Sequence, residues 1–411
     1  MMVPKLRLSL FKDDQSSRWS QANLGDIVEF KKGKGISKTD ISENGVYPCV
    51  RYGELYTIYN EKIDKVQSKT NCDPNEHVIS KAGDILIPAS GETAVDIARA
   101  SSILRDDVIL GGDINILTPI SNNLNSLFLS YSIVGKKKIE LAKMAQGNSV
   151  VHLYSSQLKT LEIWIPLIDE QTKIADFLTS VDEKIKLLNK QYDLLYQYKK
   201  AMMQKIFSQE LRFKDDNGKS FPKWSILLLK DVATRVTRKN KENNNTILTI
   251  SGRDGLVDQM NYFNKQIASK NVTGYYLIRK GEFAYNKSYS QGYPMGAIKM
   301  LSNYEKGVVS TLYICFKLND EQCCDFYQHY FESGLQNRAI EKVAQEGARN
   351  HGLLNIGVND FFDIELQVPS LAEQNKIARF LSAIEDKIAI KRAELDMLKN
   401  WKQGLLQQMF V

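Results

Sequence analysis

An internal repeat constrains this chain more than any other feature. Residues 166–207 align without a gap on 369–410 at an offset of 203, with 15 identities in 42 positions. Glu170, Gln171, Lys173, Ile174, Ala175, Phe177 and Leu178 recur as Glu373, Gln374, Lys376, Ile377, Ala378, Phe380 and Leu381. Self-similarity of this kind sets an architecture before local propensities are weighed. A fainter echo precedes each copy, where Phe11-Lys-Asp-Asp14 and Trp19 return as Phe213-Lys-Asp-Asp216 and Trp224. The chain therefore reads as globule, helix, globule, helix, over residues 1–165, 166–207, 208–368 and 369–411.

Both repeated segments space their apolar residues in a 4-3 rhythm. The first seam is Ile174, Leu178, Val181, Ile185, Leu188, Tyr192 and Leu195, with Lys199 in a seam slot; the second is Ile377, Leu381, Ile384, Ile388, Leu395 and Leu398, with Lys391 and Lys402 in the seam. A sustained period of 3.5 is the mark of a coiled coil. A helix over 170–207 would be ~57 Å long at ~1.5 Å per residue, longer than a globule of ~150 residues is wide. Its stripe needs an equally long partner, and the second copy is the one available. The end of the first helix and the start of the second both attach to the second globule, so the packing is expected to be antiparallel. The fold class that follows is α+β: two globules joined by two long helices in an antiparallel coiled coil, nearly circular with a pseudo-two-fold axis. Lys199 and Lys402 are expected to snorkel at the seam edge. Tyr196, Tyr198, Trp401 and Phe410 are candidates for an outer, partner-facing surface.

The globules show short alternating strands, such as 77–79, 84–87 and 312–316, and one late helix each, near 125–145 and 321–345. The formal charge of +7 is spread as +1 and +3 over the globules and +1 and +2 over the helices. No segment is basic enough for a general positive field, so nucleic-acid binding would rest on local loops. In the first globule the loop candidates are Lys31, Lys32, Lys34, Arg51, Tyr52, Ser90, Thr93 and Asn148. In the second they are Arg238, Lys239, Arg253, Asn286, Lys287, Tyr289, Gln291, Arg349, Asn350 and His351. Arg and Lys suit guanine O6 and N7, Asn and Gln suit adenine N6 and N7, and further cations hold phosphates. Any one of these loops alone has the ordinary content of a solvated turn.

Catalytic motifs are missing. Gly218-Lys219-Ser220 has Phe213 where a phosphate-binding loop needs its first Gly, and no Asn/Asp-Pro-Pro-aromatic site for amino methylation is present. His77, His152, His329 and His351 are dispersed without ligand spacing, so no metal site is expected. The five cysteines lack a C-x-x-C pair, which suits a reducing cytoplasm. No apolar run approaches the ~18 residues of a membrane span.

The helical segments resemble those of the specificity subunits of type I restriction–modification systems. The resemblance rests on Pro166-Leu-Ile-Asp-Glu-Gln-Thr-Lys-Ile-Ala-Asp-Phe-Leu178 and Leu371-Ala-Glu-Gln-Asn-Lys-Ile-Ala-Arg-Phe-Leu381, and on the helix ends Met203-Gln-Lys-Ile-Phe207 and Leu406-Gln-Gln-Met-Phe410. It implies that each globule is a target-recognition domain reading one half of a bipartite, asymmetric site in double-stranded DNA, and that the helices are spacers setting the gap. It also implies a chain without catalysis of its own and without a cofactor. Two methyltransferase (modification) subunits and restriction (endonuclease/translocase) subunits would be its partners, carrying S-adenosylmethionine, ATP and Mg. The alternative is a non-catalytic structural adaptor that joins proteins through its end domains.

Overall fold

In the computed structural model the described residues are 4–11, 19–147, 150–252, 254–263, 272–344 and 354–411. The chain divides into two compact units that cut across the four segments of the sequence. Unit 1 is Met1–Lys190 with Arg392–Val411, and unit 2 is Gln191–Lys391. Each unit holds one globule and a part of each long helix.

The helices run Ile168–Phe207 and Leu371–Gln408. Within unit 1 the start of the first packs antiparallel on the end of the second: Ile174, Leu178 and Val181 share a core with Leu405, Leu406 and Met409, and Phe177 sets its ring edge-on to Trp401 at 5.9 Å. Within unit 2, Met203 and Ile206 share a core with Ile377 and Leu381. All of the named seam residues are buried or half-buried. Removing one such Leu or Ile side chain from water contributes roughly 1.5–3 kcal/mol, so the 4-3 spacing dictates which face each helix turns inward. Phe410 is a correction: it is buried, 5.3 Å from the Phe128 ring, because the helix end folds onto the first globule. Tyr196, Tyr198 and Trp401 remain exposed.

Each globule is closed by pairing its first strand with its last, Ser20–Asn23 with Glu162–Ile165 and Ser225–Leu228 with Glu365–Val368, both antiparallel. The central sheet of unit 1 has the order Val28–Lys32, Ile114–Pro119, Asp84–Pro88, Ser101–Ile103, Lys62–Ile63. Unit 2 repeats the first four places as Ala233–Arg235, Ile314–Leu318, Phe283–Asn286 and Ala297–Met300. Among its described residues no fifth strand follows.

The late helices differ from the sequence expectation. Each is broken in two, as Ser126–Val134 and Lys138–Met144 in unit 1 and Cys324–Ser333 and Asn337–Val343 in unit 2. The breaks fall at glycines, for two reasons. A Cβ on Gly135 would lie 2.8 Å from the Leu406 carbonyl oxygen, whereas Gly334 takes φ +77°, a left-handed cap that favours glycine.

The identities of the repeat are polar anchors as well as apolar ones. The Gln171 amide donates to the Pro166 and Asn123 carbonyls, both at 2.9 Å, and accepts from the Asn125 amide at 2.8 Å. Gln374 donates to the Pro369 carbonyl at 3.0 Å and accepts from the Cys323 amide at 3.0 Å. Each glutamine is buried and satisfies groups at a strand end and at the head of the late helix, which would otherwise be orphaned. Beside them, Arg7 grips Glu170 through Nε and Nη2 at 2.7 and 2.6 Å, and Arg212 grips Glu373 at 3.1 and 2.7 Å. Trp19 adds an indole N–H to Glu170 at 3.4 Å, while its counterpart Trp224 packs on Phe207 and Phe326. Trp164 lies against the same core as Trp19.

The seam lysines are anchors rather than snorkelling side chains. Lys402 reaches Glu61 at 2.8 Å and Asp182 at 2.7 Å, and lies over the Tyr131 ring, whose hydroxyl donates to Asp182 at 2.7 Å. Burial works against the Lys402 charge, but the two carboxylates outweigh it and raise its pKa. Burial also raises the pKa of Asp182, because taking a carboxylate out of water costs more than one shared lysine returns. In unit 2, Lys199 pairs with Glu385, the residue aligned with Asp182. His329 occupies the place of Tyr131, with Nε2 3.2 Å from the Ser382 hydroxyl.

Candidate nucleic-acid interface

In unit 1 the sheet gathers a polar and aromatic patch from four distant segments. Lys32 ends the strand Val28–Lys32 and lies opposite Asn115 in register. Ser90 lies opposite His152, the His152 and Tyr154 rings stack at 6.1 Å, and the Lys32 ammonium stands 6.0 Å from the Tyr154 ring. Buried Asn115 donates to the Leu153 carbonyl at 2.9 Å and accepts from Ser155 at 3.2 Å, fixing the segment that presents Tyr154. Lys34 is positioned by its backbone: its amide donates to the Leu110 carbonyl at 3.0 Å, and a Cβ on Gly33 would sit 1.9 Å from the Gly111 carbonyl oxygen. Close approach of two backbones explains why glycine interrupts the lysine run. Lys31 and Lys34 flank Lys32 in this run.

Other unit 1 candidates serve the globule itself. The Arg51 guanidinium pairs with buried Glu54 at 3.1 Å. Thr93 caps the turn Ala94–Ile97, accepting from the Asp96 amide and donating to its carboxylate at 2.6 Å. Ser90 is buried. Tyr52 stays exposed, 6.3 Å from the Tyr56 ring. Asn148 lies outside the described residues.

Unit 2 divides its candidates in the same way. Arg238 is held by Glu282 through two hydrogen bonds, at 2.9 and 3.2 Å, and donates to the Leu277 carbonyl at 3.1 Å; the Glu282 carboxylate raises its pKa. Lys239 donates to the Gly274 carbonyl at 2.8 Å and lies 4.4 Å from the Tyr276 ring. Asn286 accepts from the Ser288 amide at 3.1 Å, and the Lys287 carbonyl accepts from Leu354 at 3.0 Å. These bonds shape the loop that exposes Tyr289 and carries Gln291 to the edge of a cleft of about 530 Å³. Arg253, Arg349, Asn350 and His351 lie outside the described residues.

Sequence reasoning passed over His152 and Tyr154 in unit 1 and Tyr293 in unit 2. The Tyr293 hydroxyl lies 2.7 Å from the Gly252 carbonyl and 2.8 Å from Glu332, with one proton to give between these two acceptors. Among the described residues, no group of three or more His, Cys, Asp or Glu side chains is placed to hold a metal ion, and no helix is long and apolar enough to cross a membrane.

The two halves therefore repeat one frame and differ in the side chains their loops present. Residues 16–197 and 213–400 each match the family model of the type I restriction modification DNA specificity domain. The chain belongs to that family. The specificity domain thus occurs twice, once per half, in step with the repeat. A specificity subunit of Methanocaldococcus jannaschii, that of type I restriction enzyme MjaVIII, is 28% identical over 220 residues, covering 52% of this chain and 49% of the relative. The MjaX specificity subunit of the same organism is 25% identical over 419 residues, covering 94% of this chain and 92% of its own length. The solved S subunit of a type I restriction–modification system from M. genitalium superposes with a TM-score of 0.61 at 17% identity, over 100% of this chain and 99% of that one. The chain therefore shares the fold of a solved specificity subunit over its full length.

Proposed function

We propose that this chain is the DNA-recognition subunit of a type I restriction–modification complex, with each globule reading one half of a split, asymmetric site in double-stranded DNA. The observation that carries this is the duplicated specificity domain, whose helices, closing strand pair and four-strand sheet order repeat while its loops do not. A repeated frame with unlike loops suits two readers of different sequence. The helices act as a spacer, as dimer spacing sets half-site separation in other DNA-binding proteins. Two modification subunits and the restriction subunits would assemble on the chain and bring S-adenosylmethionine, ATP and Mg, and the chain itself would read without reacting. Exposed Lys, Tyr and Gln side chains on both globules support contact with phosphates and base edges.

Selection from random duplex pools tests this, using the full chain with and without a methyltransferase partner. The expected result is enrichment of one bipartite motif, with affinity falling steeply as salt rises. Inserting one heptad into both helices should lengthen the gap and leave each half unaltered. No enriched motif, or a gap that ignores the insertion, would overturn the reading in favour of an adaptor that touches only proteins.

A further inference from the structure

The two lysine anchors are not equivalent, and the difference leaves a built opening in unit 2. In unit 1, Glu61 immediately precedes the fifth strand of the sheet, Lys62–Ile63, and fills the space in front of Lys402. Unit 2 has no fifth strand among its described residues beside Ala297–Met300. There the helix residues Lys199, Lys200 and Gln204, together with Ser251, Gln291 and Tyr293, line the cleft of about 530 Å³.

Charge follows the same division. Lys402 serves two carboxylates, whereas Lys199 serves Glu385. Lys299, on the strand Ala297–Met300, pairs with Glu332 and donates to Tyr293 at 2.8 Å, so the acidic group of the cleft wall is matched within the globule. Lys200 then stands exposed on the cleft with no ion pair among the described residues, and the residue aligned with it in unit 1 is the neutral Gln403. Unit 2 therefore lacks one carboxylate and gains one cation where unit 1 is filled.

We infer that this cleft is an anchoring site for one backbone phosphate of the bound duplex, held by Lys200 with the amides of Gln204 and Gln291. An ammonium and two side-chain amides are donors that hold a phosphate without reading sequence. The cleft also abuts the loop that carries half-buried Lys287 and exposes Tyr289, so a strand lying along that loop passes its mouth. The long helix would then touch DNA directly, on one side of the molecule only. This inference rests on the DNA-reading function proposed above.

The test compares the full chain with its Lys200→Gln variant on the duplex selected by the wild type. Gln is a good helix former and position 200 is exposed, so the fold should survive, which a thermal melt checks. Loss of one phosphate contact should weaken binding several-fold and reduce the slope of log affinity against log salt by about 0.9. The selected motif should not change. Replacing single phosphates of the duplex with neutral methylphosphonates should reveal one position that weakens the wild type and leaves the variant unaffected. An unchanged salt slope would overturn the phosphate site, as would an altered base preference in one half-site, or a loss seen only as weaker methyltransferase binding. If the wild type itself selects no motif, the reading function fails; if it selects one and Lys200→Gln binds identically, only the cleft assignment fails.

Discussion

Lys402 and Lys199 sit at aligned positions of the same repeat, yet the first is enclosed by Glu61, Asp182 and Tyr131 and the second opens onto a cleft beside Glu385 and His329. The helix supplies the same cation and the same facing carboxylate in both units, while the globule supplies the difference. A duplicated frame can thus hold its helical contacts constant while the layer above them is closed in one unit and left open in the other.

The comparison can be broken experimentally, and the largest effect is expected at the closed anchor. Lys402→Met leaves Glu61 and Asp182 buried without their cation, which should cost about 3–5 kcal/mol. Lys199→Met leaves only Glu385, whose carboxylate is 37% exposed, and should cost about 1 kcal/mol. Urea unfolding of the full chain measures both, and equal losses would show that the anchors are equivalent after all.

A second difference lies in titration. Burial, and then the charge of Lys199, lowers the His329 pKa from 6.5 to about 3. Between those values the unfolded chain takes up a proton that the folded one refuses, so stability declines as pH falls through that window, by about 2 kcal/mol at pH 5. Tyr131, in the matching place, has its pKa raised by burial and keeps its proton throughout. His329→Gln should therefore flatten the acid sensitivity measured between pH 7.5 and pH 5, and an unchanged pH profile would refute this assignment. The smallest effect is expected at the helix breaks. Gly334→Ala should cost about 1 kcal/mol for its left-handed backbone, and Gly334→Asn less. At Gly135 Asn should give no such relief, because the obstacle is the Leu406 carbonyl.

The helical frame was legible because its signal is periodic: a residue every 3.5 positions, repeated across 42 aligned positions, leaves one inward face. The anchors were half legible. Lys199 and Lys402 stand out as charges in an apolar seam, but Glu61 is 341 residues from Lys402, and nothing near either residue announces the other. The same distance problem affected Arg238, whose partner Glu282 is 44 residues away, whereas Arg51 has Glu54 only three residues on, a pairing that follows from the turn rather than from a distant segment. The broken late helices escaped because glycine inside a helical pattern is usually tolerated; the break at Gly135 follows from Leu406, which folding alone brings there. Tyr154 and His152 escaped because a strand pairing, not a motif, places them beside Lys32.

The distribution of indole rings has a practical consequence. Trp19, Trp164 and Trp401 belong to unit 1, and Trp224 is the sole tryptophan of unit 2, set among Phe207, Phe326 and their neighbours. Replacing Trp224 with Phe would leave emission from one unit, and replacing the other three would leave emission from its counterpart. Each half of the molecule thus carries its own optical label, so the melting of one reader can be followed while the other stays dark.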